Sequence, residues 1–227
     1  MHKIETHLHT TYISRCGWLG AQALIKMYAK LGYSAICVTD HYNRTCFEYA
    51  DIDLLQPGSK TEDFLLGYRR VEREAKKYGI KIYEGAELRF DGSDNDYLLY
   101  GFSHDLLADP EKIISEGLEV FSRKCRKEGA LLIQAHPYRK GCHPVDPRLI
   151  EGVEVYNANP RHDSRNDLAK EFAKTYGLLE TAGSDCHQPG DQGRAGILAE
   201  DLPEDGFAFA QLLRSGKYRL YINDEEE

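Results

Sequence analysis

The sequence predicts an α/β barrel formed by a single domain, and three observations support this. The chain has 227 residues, a length at which one domain with a complete hydrophobic core is expected. Short apolar runs alternate with helical patterns of about 10 residues, which is typical of β/α units with parallel strands. Roughly seven such units follow one another, and that number favours a closed barrel over an open sheet.

The individual elements are predicted from apolar runs and periodicity, and several predicted helices stop at a glycine. The predicted strands lie at 3–10, 34–39, 81–84, 97–102, 130–134, 152–156, 178–182 and 219–222. The predicted helices lie at 22–31, 64–78, 111–128, 167–176 and 207–215. We expect the domain to span 1–223, the polar segment 43–62 to form a mobile loop over the site, and the acidic tail 224–227 to be disordered.

The composition is that of an ordinary globular protein, with 41% hydrophobic and 29% charged residues. No apolar run reaches the roughly 18 residues of a membrane-spanning helix, and the first residues lack the apolar core of a signal peptide. Six cysteines occur without a C-x-x-C pair, so we expect reduced and mostly buried thiols. These features predict a cytoplasmic protein without a membrane partner.

The net charge of −8 argues against broad binding to the backbone of nucleic acids, which requires clustered lysine and arginine. It does not exclude an anionic substrate, because bound divalent metals reverse the local field. Neither the charge nor the composition predicts an oligomeric state.

Histidines and acidic residues recur at the ends of the predicted strands. Six of the nine histidines fall at or just beyond such an end: His7, His9, His41, His104, His136 and His187. Glu87 and Asp185 occupy equivalent positions. Because the carboxyl ends of parallel barrel strands converge on one face, we expect these side chains to meet in one cup.

These residue types suit transition metals. Imidazole nitrogen and carboxylate oxygen bind Zn, Mn and Fe, and a carboxylate is able to bridge two ions. In His-x-His at 7–9, both rings lie on one face of a strand and reach one ion. A single histidine at a strand end is usually capped or solvated, so the prediction of a metal cluster depends on the whole set.

The segments that contain these histidines and acids resemble the motifs of the PHP (polymerase and histidinol phosphatase) superfamily. The resemblance covers nearly the whole chain and depends on four motifs in order: THLHT at 6–10, VTDH at 38–41, QAHPY at 134–138, and GVEVYN at 152–157 with AGSDCH at 182–187 followed by Gly193-Arg194. The last of these is the most specific. The resemblance implies a distorted (β/α)7 TIM-like barrel and a metal-dependent phosphoesterase.

The resemblance also implies two or three divalent transition metals, which would be Zn, Mn or Fe. The first would be held by His7, His9, Glu87 and Asp185. Glu87 would bridge to a second metal, completed by His104 and His136. His41 and His187 would contribute to a third.

One departure from the family pattern affects the third metal. Relatives carry an Asp or His five or six residues after the second histidine of the first motif, where this chain has Ser14 and Arg15, followed by Cys16. Arginine does not lose its proton and cannot coordinate a metal. Three readings are open: a weakened third site, a fixed positive charge from Arg15 in its place, or a Cys16 thiolate ligand. The first two are favoured, because a free cysteine is more often simply buried.

The predicted reaction is hydrolysis of a phosphate ester by in-line attack of a metal-bound hydroxide. Asp185 and His187 are candidates for proton transfer to the leaving oxygen. Substrate phosphate would be bound by arginines near the motifs, each of which is alternatively an ordinary surface residue: Arg15, Arg89, Arg139, Arg161 and Arg194.

The predicted substrate is a small phosphorylated metabolite, such as histidinol phosphate or a nucleoside monophosphate, because the chain shows no insertion domain and no basic stripe. Two alternatives are kept. One is a phosphodiesterase or nuclease acting on short oligonucleotides. The other is a non-catalytic PHP domain used for binding, although a decayed site would be expected to have lost several ligands.

Overall fold

The structure is a computed structural model that describes residues 1–50, 52 and 60–223. The acidic tail at 224–227, predicted to be disordered, lies outside the described residues. Part of the segment 43–62, predicted to be an irregular loop, forms helix instead, because Asn43 caps a helix by accepting a hydrogen bond from Cys46 N. Most of the remainder of that segment lies outside the described residues.

The described residues form ten strands. They are β1 (His2–Glu5), β2 (Ala35–Val38), β3 (His41–Tyr42), β4 (Lys81–Arg89), β5 (Asp96–Tyr100), β6 (Leu131–Gln134), β7 (Gly152–Asn157), β8 (Leu179–Gly183), β9 (Ala195–Ala199) and β10 (Tyr218–Ile222). They form one sheet in the order β10-β9-β1-β2-β4-β5-β6-β7-β8, and β3 pairs with β4.

The sheet closes into a barrel where the end of β8 and the residues after it meet the residues after β1. Thr6 Oγ1 donates a hydrogen bond to Ala182 O at 2.7 Å, and His9 N donates to Cys186 O at 2.9 Å. The barrel confirms the predicted fold class. The predicted first strand at 3–10 is shorter, ending at Glu5, so the two histidines of the first motif lie beyond it, at the rim.

Strand direction differs from the all-parallel prediction. The pairs β1–β2, β2–β4, β6–β7 and β7–β8 are parallel, whereas β5 runs antiparallel to both β4 and β6. β9, which the sequence analysis missed, runs antiparallel to β1 and β10. The residues 90–95 that join β4 to β5 are too few for a parallel crossover, which requires about a dozen.

Helices surround this sheet. They are α1 (Ala21–Lys30), α2 (Arg44–Tyr49), α3 (Lys60–Phe64), α4 (Leu66–Ala75), α5 (Pro110–Glu128), α6 (Asn166–Tyr176) and α7 (Gly206–Ser215) among the described residues. The long helix predicted at 111–128 is interrupted at Gly117, whose φ of +79° is incompatible with a continuous α-helix. No helix in the described parts of the chain is long and apolar enough to cross a membrane.

Alternate residues of the strands face opposite sides of the sheet. Leu98 and Tyr100 of β5 pack in one apolar cluster together with Tyr83 of β4 and Phe209 of α7. Tyr97 and Leu99 of β5 pack in a different cluster. With a period of two, Glu87 of β4 lies on the same face as Tyr83, and Asp96 of β5 lies on the same face as Leu98. Both acids therefore point into the barrel, towards the end at which β4 stops.

Candidate metal centre

Four histidines converge on the buried carboxylate of Glu87, which is 1% exposed. Its Oε1 lies 3.2 Å from His7 Nε2 and 3.1 Å from His136 Nε2. Its Oε2 lies 2.7 Å from His41 Nδ1 and 3.4 Å from His9 Nε2. One carboxylate therefore joins four imidazoles from three separate segments, which is the arrangement expected of a bridging ligand.

A second buried carboxylate, Asp185, completes one side of this cluster. Its Oδ1 lies 3.4 Å from His7 Nε2 and 3.3 Å from His9 Nε2. It also lies 3.3 Å from His187 Nδ1. Ligand atoms of His7, His9 and Asp185 lie within 4.8 Å of one another, as do those of His9, His41 and His187.

The hydrogen bonding of the cluster is incomplete in a way that a cation would explain. His41 Nδ1 and Glu87 Oε2 are 2.7 Å apart, yet both are buried atoms without a hydrogen-bond partner. His7 Nε2 and His9 Nε2 face each other at 3.1 Å. An unpaired buried polar atom is costly, and nitrogen and carboxylate oxygen are the donors that transition metals prefer. The residues present therefore fit a group of divalent metals.

The charges in the cluster reinforce each other. Burial by itself would lower the pKa of His7, but Glu154, Asp185 and Glu87 raise it well above the ordinary value. Burial would raise the pKa of Glu87, but the neighbouring His7 and His41 lower it well below the ordinary value. Both carboxylates, Glu87 and Asp185, are thereby kept ionised and ready to bind cations.

A further carboxylate, which the sequence analysis missed, orients the first histidine. Glu154 of β7 is fully buried, and its Oε1 lies 2.8 Å from His7 Nδ1. Its Oε2 accepts hydrogen bonds from His136 N and from Asn157 Nδ2. An acid behind a ligating imidazole fixes its tautomer and raises its basicity. The signal was present in the sequence as the acid in the middle of the apolar strand GVEVYN.

Asp40, which precedes His41, fixes the loop that follows the first motif. It accepts hydrogen bonds from Thr10 N at 2.6 Å and from Ser14 Oγ at 2.7 Å. Burial raises the pKa of Asp40 to about 6. The Ser14 hydroxyl also accepts a hydrogen bond from His41 N and lies 3.2 Å from His9 Nδ1, so it is fully used in holding the loop.

Two residues of the cluster have a strained backbone. His136, after β6, has φ of +27°, and Asp185, after β8, has φ of +49°. Residues other than glycine rarely adopt positive φ, and such strain persists only where the surroundings enforce it. The sharp turn at each strand end aims both side chains back across the mouth of the barrel.

The structure contradicts the placement of His104 in the cluster. His104 is 43% exposed and lies 3.0 Å from Glu84 and 3.3 Å from Glu62. It follows β5, and because β5 is antiparallel to β4, the carboxyl end of β5 lies at the opposite rim of the barrel. The prediction assumed that β5 was parallel.

The same inversion brings the first residue of β5, Asp96, to the cluster. Asp96 is 2% exposed, and its Oδ2 lies 3.9 Å from His136 Nε2. Ligand atoms of Asp96, Glu87 and His41 lie within 4.8 Å of one another. Asp96 also accepts two hydrogen bonds from Arg89, at 2.7 and 2.5 Å. The sequence signal was the short connection with Asp91-Gly92, which is typical of a hairpin.

The predicted arginines divide into two groups. Arg89, Arg139 and Arg161 line a cavity of about 550 Å³ that contains the cluster. Arg15 is exposed and lines an adjoining cavity, and Arg194 donates from Nε to Gly190 O within its own turn. The structure therefore does not bring Arg194 to the cluster, because its guanidinium is engaged locally.

Arg139 is the arginine placed deepest in the cluster. Its Nη2 donates to Asp185 Oδ2 at 2.6 Å and to Asn157 Oδ1 at 2.8 Å. Its Nε is buried without a partner. Arg161 is held by a two-point ion pair with Asp191, at 2.5 and 2.7 Å.

The cysteines match the expectation of free thiols: four of the six are buried, Cys142 is half-buried and Cys16 is exposed. Cys16 lines the metal cavity at its surface. Burial would raise the pKa of its thiol, but hydrogen bonds with His187 and His41 lower it to about 6. The sequence analysis ranked Cys16 last among the three readings of the third site.

Comparison with known families gives two matches along the chain. The family model for the PHP domain matches residues 5–190. A second model, described as PHP-associated, matches residues 163–218.

Individual relatives are similar over most of the chain. A probable histidinol-phosphatase of Thermotoga maritima is 27% identical over 242 aligned positions, covering 94% of this chain and 96% of the relative. A 5-amino-6-(5-phospho-D-ribitylamino)uracil phosphatase of Bacillus subtilis is 28% identical and covers 75% of this chain, which spans 59% of that protein. A two-domain protein of Bacteroides vulgatus, which contains a predicted PHP-like metal-dependent phosphoesterase, shares the fold with a TM-score of 0.70 at 17% identity. The match covers 98% of this chain and 65% of the larger protein.

Proposed function

The chain belongs to the PHP domain family, and we propose that it is a metal-dependent hydrolase of phosphate monoesters of small metabolites. The observation that carries the proposal is the convergence of His7, His9, His41 and His136 on the two oxygens of Glu87. A bridging carboxylate surrounded by imidazoles is the ligand set of a multinuclear hydrolytic centre.

The proposed ligands follow from the distances. His7, His9, Glu87 and Asp185 would hold the first metal. Glu87, His136 and Asp96 would hold the second, with Asp96 in the place first given to His104. When bound, Zn, Mn or Fe at these positions would supply Lewis acidity towards the phosphoryl oxygens and a water molecule that is acidic enough to attack.

The substrate phosphate would be bound by the arginines of the cavity. Arg139 carries an unpartnered Nε at the depth of the cluster, and Arg161 is pre-positioned by Asp191. Planar guanidinium groups suit phosphate and stabilise the charge that develops on it. Asp185 already binds both Arg139 and the histidines, so it couples phosphate binding to the metal cluster. His187 Nδ1 lies 3.3 Å from Asp185 Oδ1, and we assign His187 to the third metal position that the family pattern implies rather than to proton transfer.

The mouth of the cavity suits a substrate whose leaving group carries a ring. Trp18, the one tryptophan of the chain, is 70% exposed and lines this cavity together with Arg161 and His162. Its backbone N donates to His187 O at 2.7 Å, which fixes it beside the cluster. An exposed indole whose backbone is tied to a polar site offers a stacking surface. The name of the Thermotoga maritima relative, a probable histidinol-phosphatase, is consistent with a small substrate of this kind.

A substrate screen with metal analysis tests the proposal. Purified protein would be supplied with Mn²⁺ or Zn²⁺ and offered phosphorylated metabolites and short oligonucleotides, with His9→Ala as the control variant. We expect two or three metals per chain and release of inorganic phosphate from a monoester. Cleavage of the oligonucleotide alone, lost at high salt, would replace the proposal with a nuclease. Absence of bound metal, with no effect of His9→Ala, would leave a non-catalytic binding domain.

A further inference from the structure

The loop at 14–18 places one thiol against two histidines of the cluster. Cys16 lines the same cavity as His41 and His187, and Trp18 N, two residues further on, donates to His187 O at 2.7 Å. Neither histidine is needed by the first or the second metal as assigned above. The loop therefore adds a soft sulfur donor to two imidazole donors.

Ser14 and Arg15, the two residues before Cys16, are unable to act as metal ligands. The hydroxyl of Ser14 donates to Asp40, accepts from His41 N and lies 3.2 Å from His9 Nδ1, so its donor and both of its acceptor positions are used. Arg15 is exposed, lines the adjoining cavity and carries a permanent positive charge. Cys16, which directly follows the positions where the family pattern has its ligand, is the remaining donor of this loop.

The backbone holds the thiol at this position. Gly17 N donates to Ser14 O at 2.8 Å, and Trp18 N donates to His187 O at 2.7 Å. A Cβ at Gly17 would lie 2.5 Å from Thr10 O, so the loop packs tightly on the first motif. The position of Cys16 relative to His187 is thus fixed from both sides by hydrogen bonds of its neighbours.

The surrounding atoms point to a cation at this place. Glu87 Oε2, in a side chain that is 1% exposed, has no hydrogen-bond partner although His41 Nδ1 is 2.7 Å away. The His41 ring is held against this carboxylate by charge, and neither of the two facing atoms has another hydrogen-bond partner. Coordination of the His41 ring to a metal ion explains this arrangement of His41 and Glu87.

We propose that Cys16 is a direct thiolate ligand of a third metal, together with His41 and His187. Two nitrogens and one sulfur leave the fourth position of a tetrahedral ion open, as in catalytic zinc sites. The inference rests on the metal cluster of the proposed function but not on phosphatase activity. It makes the third site chemically different from the other two, because they have nitrogen and oxygen donors only.

Cobalt substitution tests this ligand directly. The full-length protein, freed of metal, would be titrated with Co²⁺ while its absorption spectrum is recorded. We expect a thiolate-to-cobalt charge-transfer band in the near ultraviolet and three Co²⁺ per chain. Cys16→Ser should abolish the band and reduce the count to two, and Cys16→Asp should restore the count without the band.

Cys142→Ser is the matched control, since Cys142 Sγ lies 4.0 Å from His136 Nδ1 but donates to Asp94 O. This variant should keep both the band and the count. Absence of the band in a wild-type protein that binds Co²⁺ and hydrolyses phosphate esters would overturn the Cys16 assignment alone. Failure to bind any Co²⁺ would overturn the assignment and the metal cluster together. Persistence of the band in Cys16→Ser would assign it to another thiol.

Discussion

Histidines lie beside acidic side chains at both rims of the barrel. At one rim, His7 and His136 meet Glu87 in a site that is almost completely buried. At the other, His104 lies between Glu62 and Glu84, and all three are substantially open to solvent. The residue types are the same at the two rims, but their surroundings differ. At the first rim, the ends of several strands bring the side chains together in one buried site. At the second rim, the side chains come from one loop and its neighbours and stay in contact with solvent. Metal binding depends on that convergence and on burial more than on the presence of histidine.

The strongest test of this comparison is removal of the shared ligand. Glu87→Gln should abolish two metal positions and reduce kcat/KM by more than the roughly 100-fold that loss of an outer partner of a metal ligand causes. The measurements are metal content by elemental analysis and hydrolysis of the best substrate. Circular dichroism of the variant controls for folding. A Gln variant that retains its metals would show that Glu87 is not the bridge.

Asp96→Asn is expected to have the next largest effect, with loss of one metal per chain and a decrease in kcat/KM of about 10- to 100-fold. The substitution also weakens the ion pair with Arg89, so Arg89→Gln is the matched control. That control breaks the pair but keeps the carboxylate, and it should retain its full metal content. Equal metal loss in both variants would mean that Asp96 has a structural role only.

Glu154→Gln tests the support of the first metal. The amide cannot accept the His7 proton as strongly, so metal affinity should fall by about 10- to 100-fold while the metal count at saturation is unchanged. A competition titration with a chelator measures the affinity. Unchanged affinity would show that the hydrogen bond at 2.8 Å does not contribute to metal binding.

The sequence predicted most of the buried rim because His-x-His, Glu87, His136 and Asp185 follow strands that are parallel or lie at the shared edge. It failed where direction mattered. Apolar patterning gives the position of a strand but not its direction. The sequence analysis therefore placed His104 in the cluster, where the structure has Asp96. Arginine placement was equally inaccessible, since Arg139 donates to Asp185 and Arg194 donates to Gly190 O, and the pattern of residues reveals neither partner.

Trp18→Ala is expected to raise KM for a ring-bearing phosphate monoester by about 2- to 10-fold, the value of an aromatic stacking contact, with kcat nearly unchanged. Trp18→Phe should recover most of the loss. Because the chain has a single tryptophan, quenching of its fluorescence reports binding directly. Phenyl phosphate should quench it and glycerol phosphate should not, whereas equal quenching by both would argue against stacking.

The smallest effect is expected at the second rim. His104→Ala should leave metal content and kcat/KM unchanged and shift the free energy of unfolding by less than about 0.5 kcal/mol, because exposed ion pairs contribute little. Urea denaturation and elemental analysis measure both quantities. Loss of a metal in this variant would show that His104 is a metal ligand, as the sequence analysis predicted. It would contradict the conclusion that the two rims differ in metal binding.

The position of β1 has a consequence for how the protein matures. The strand that leads to His7 and His9 lies between β2 and β9, and β9 in turn pairs with β10 at 218–222. A ribosome-bound chain therefore cannot complete the surroundings of its first motif until residues about 190 positions later have emerged. We expect the metals to be acquired late in biosynthesis, after the two most distant parts of the chain have paired.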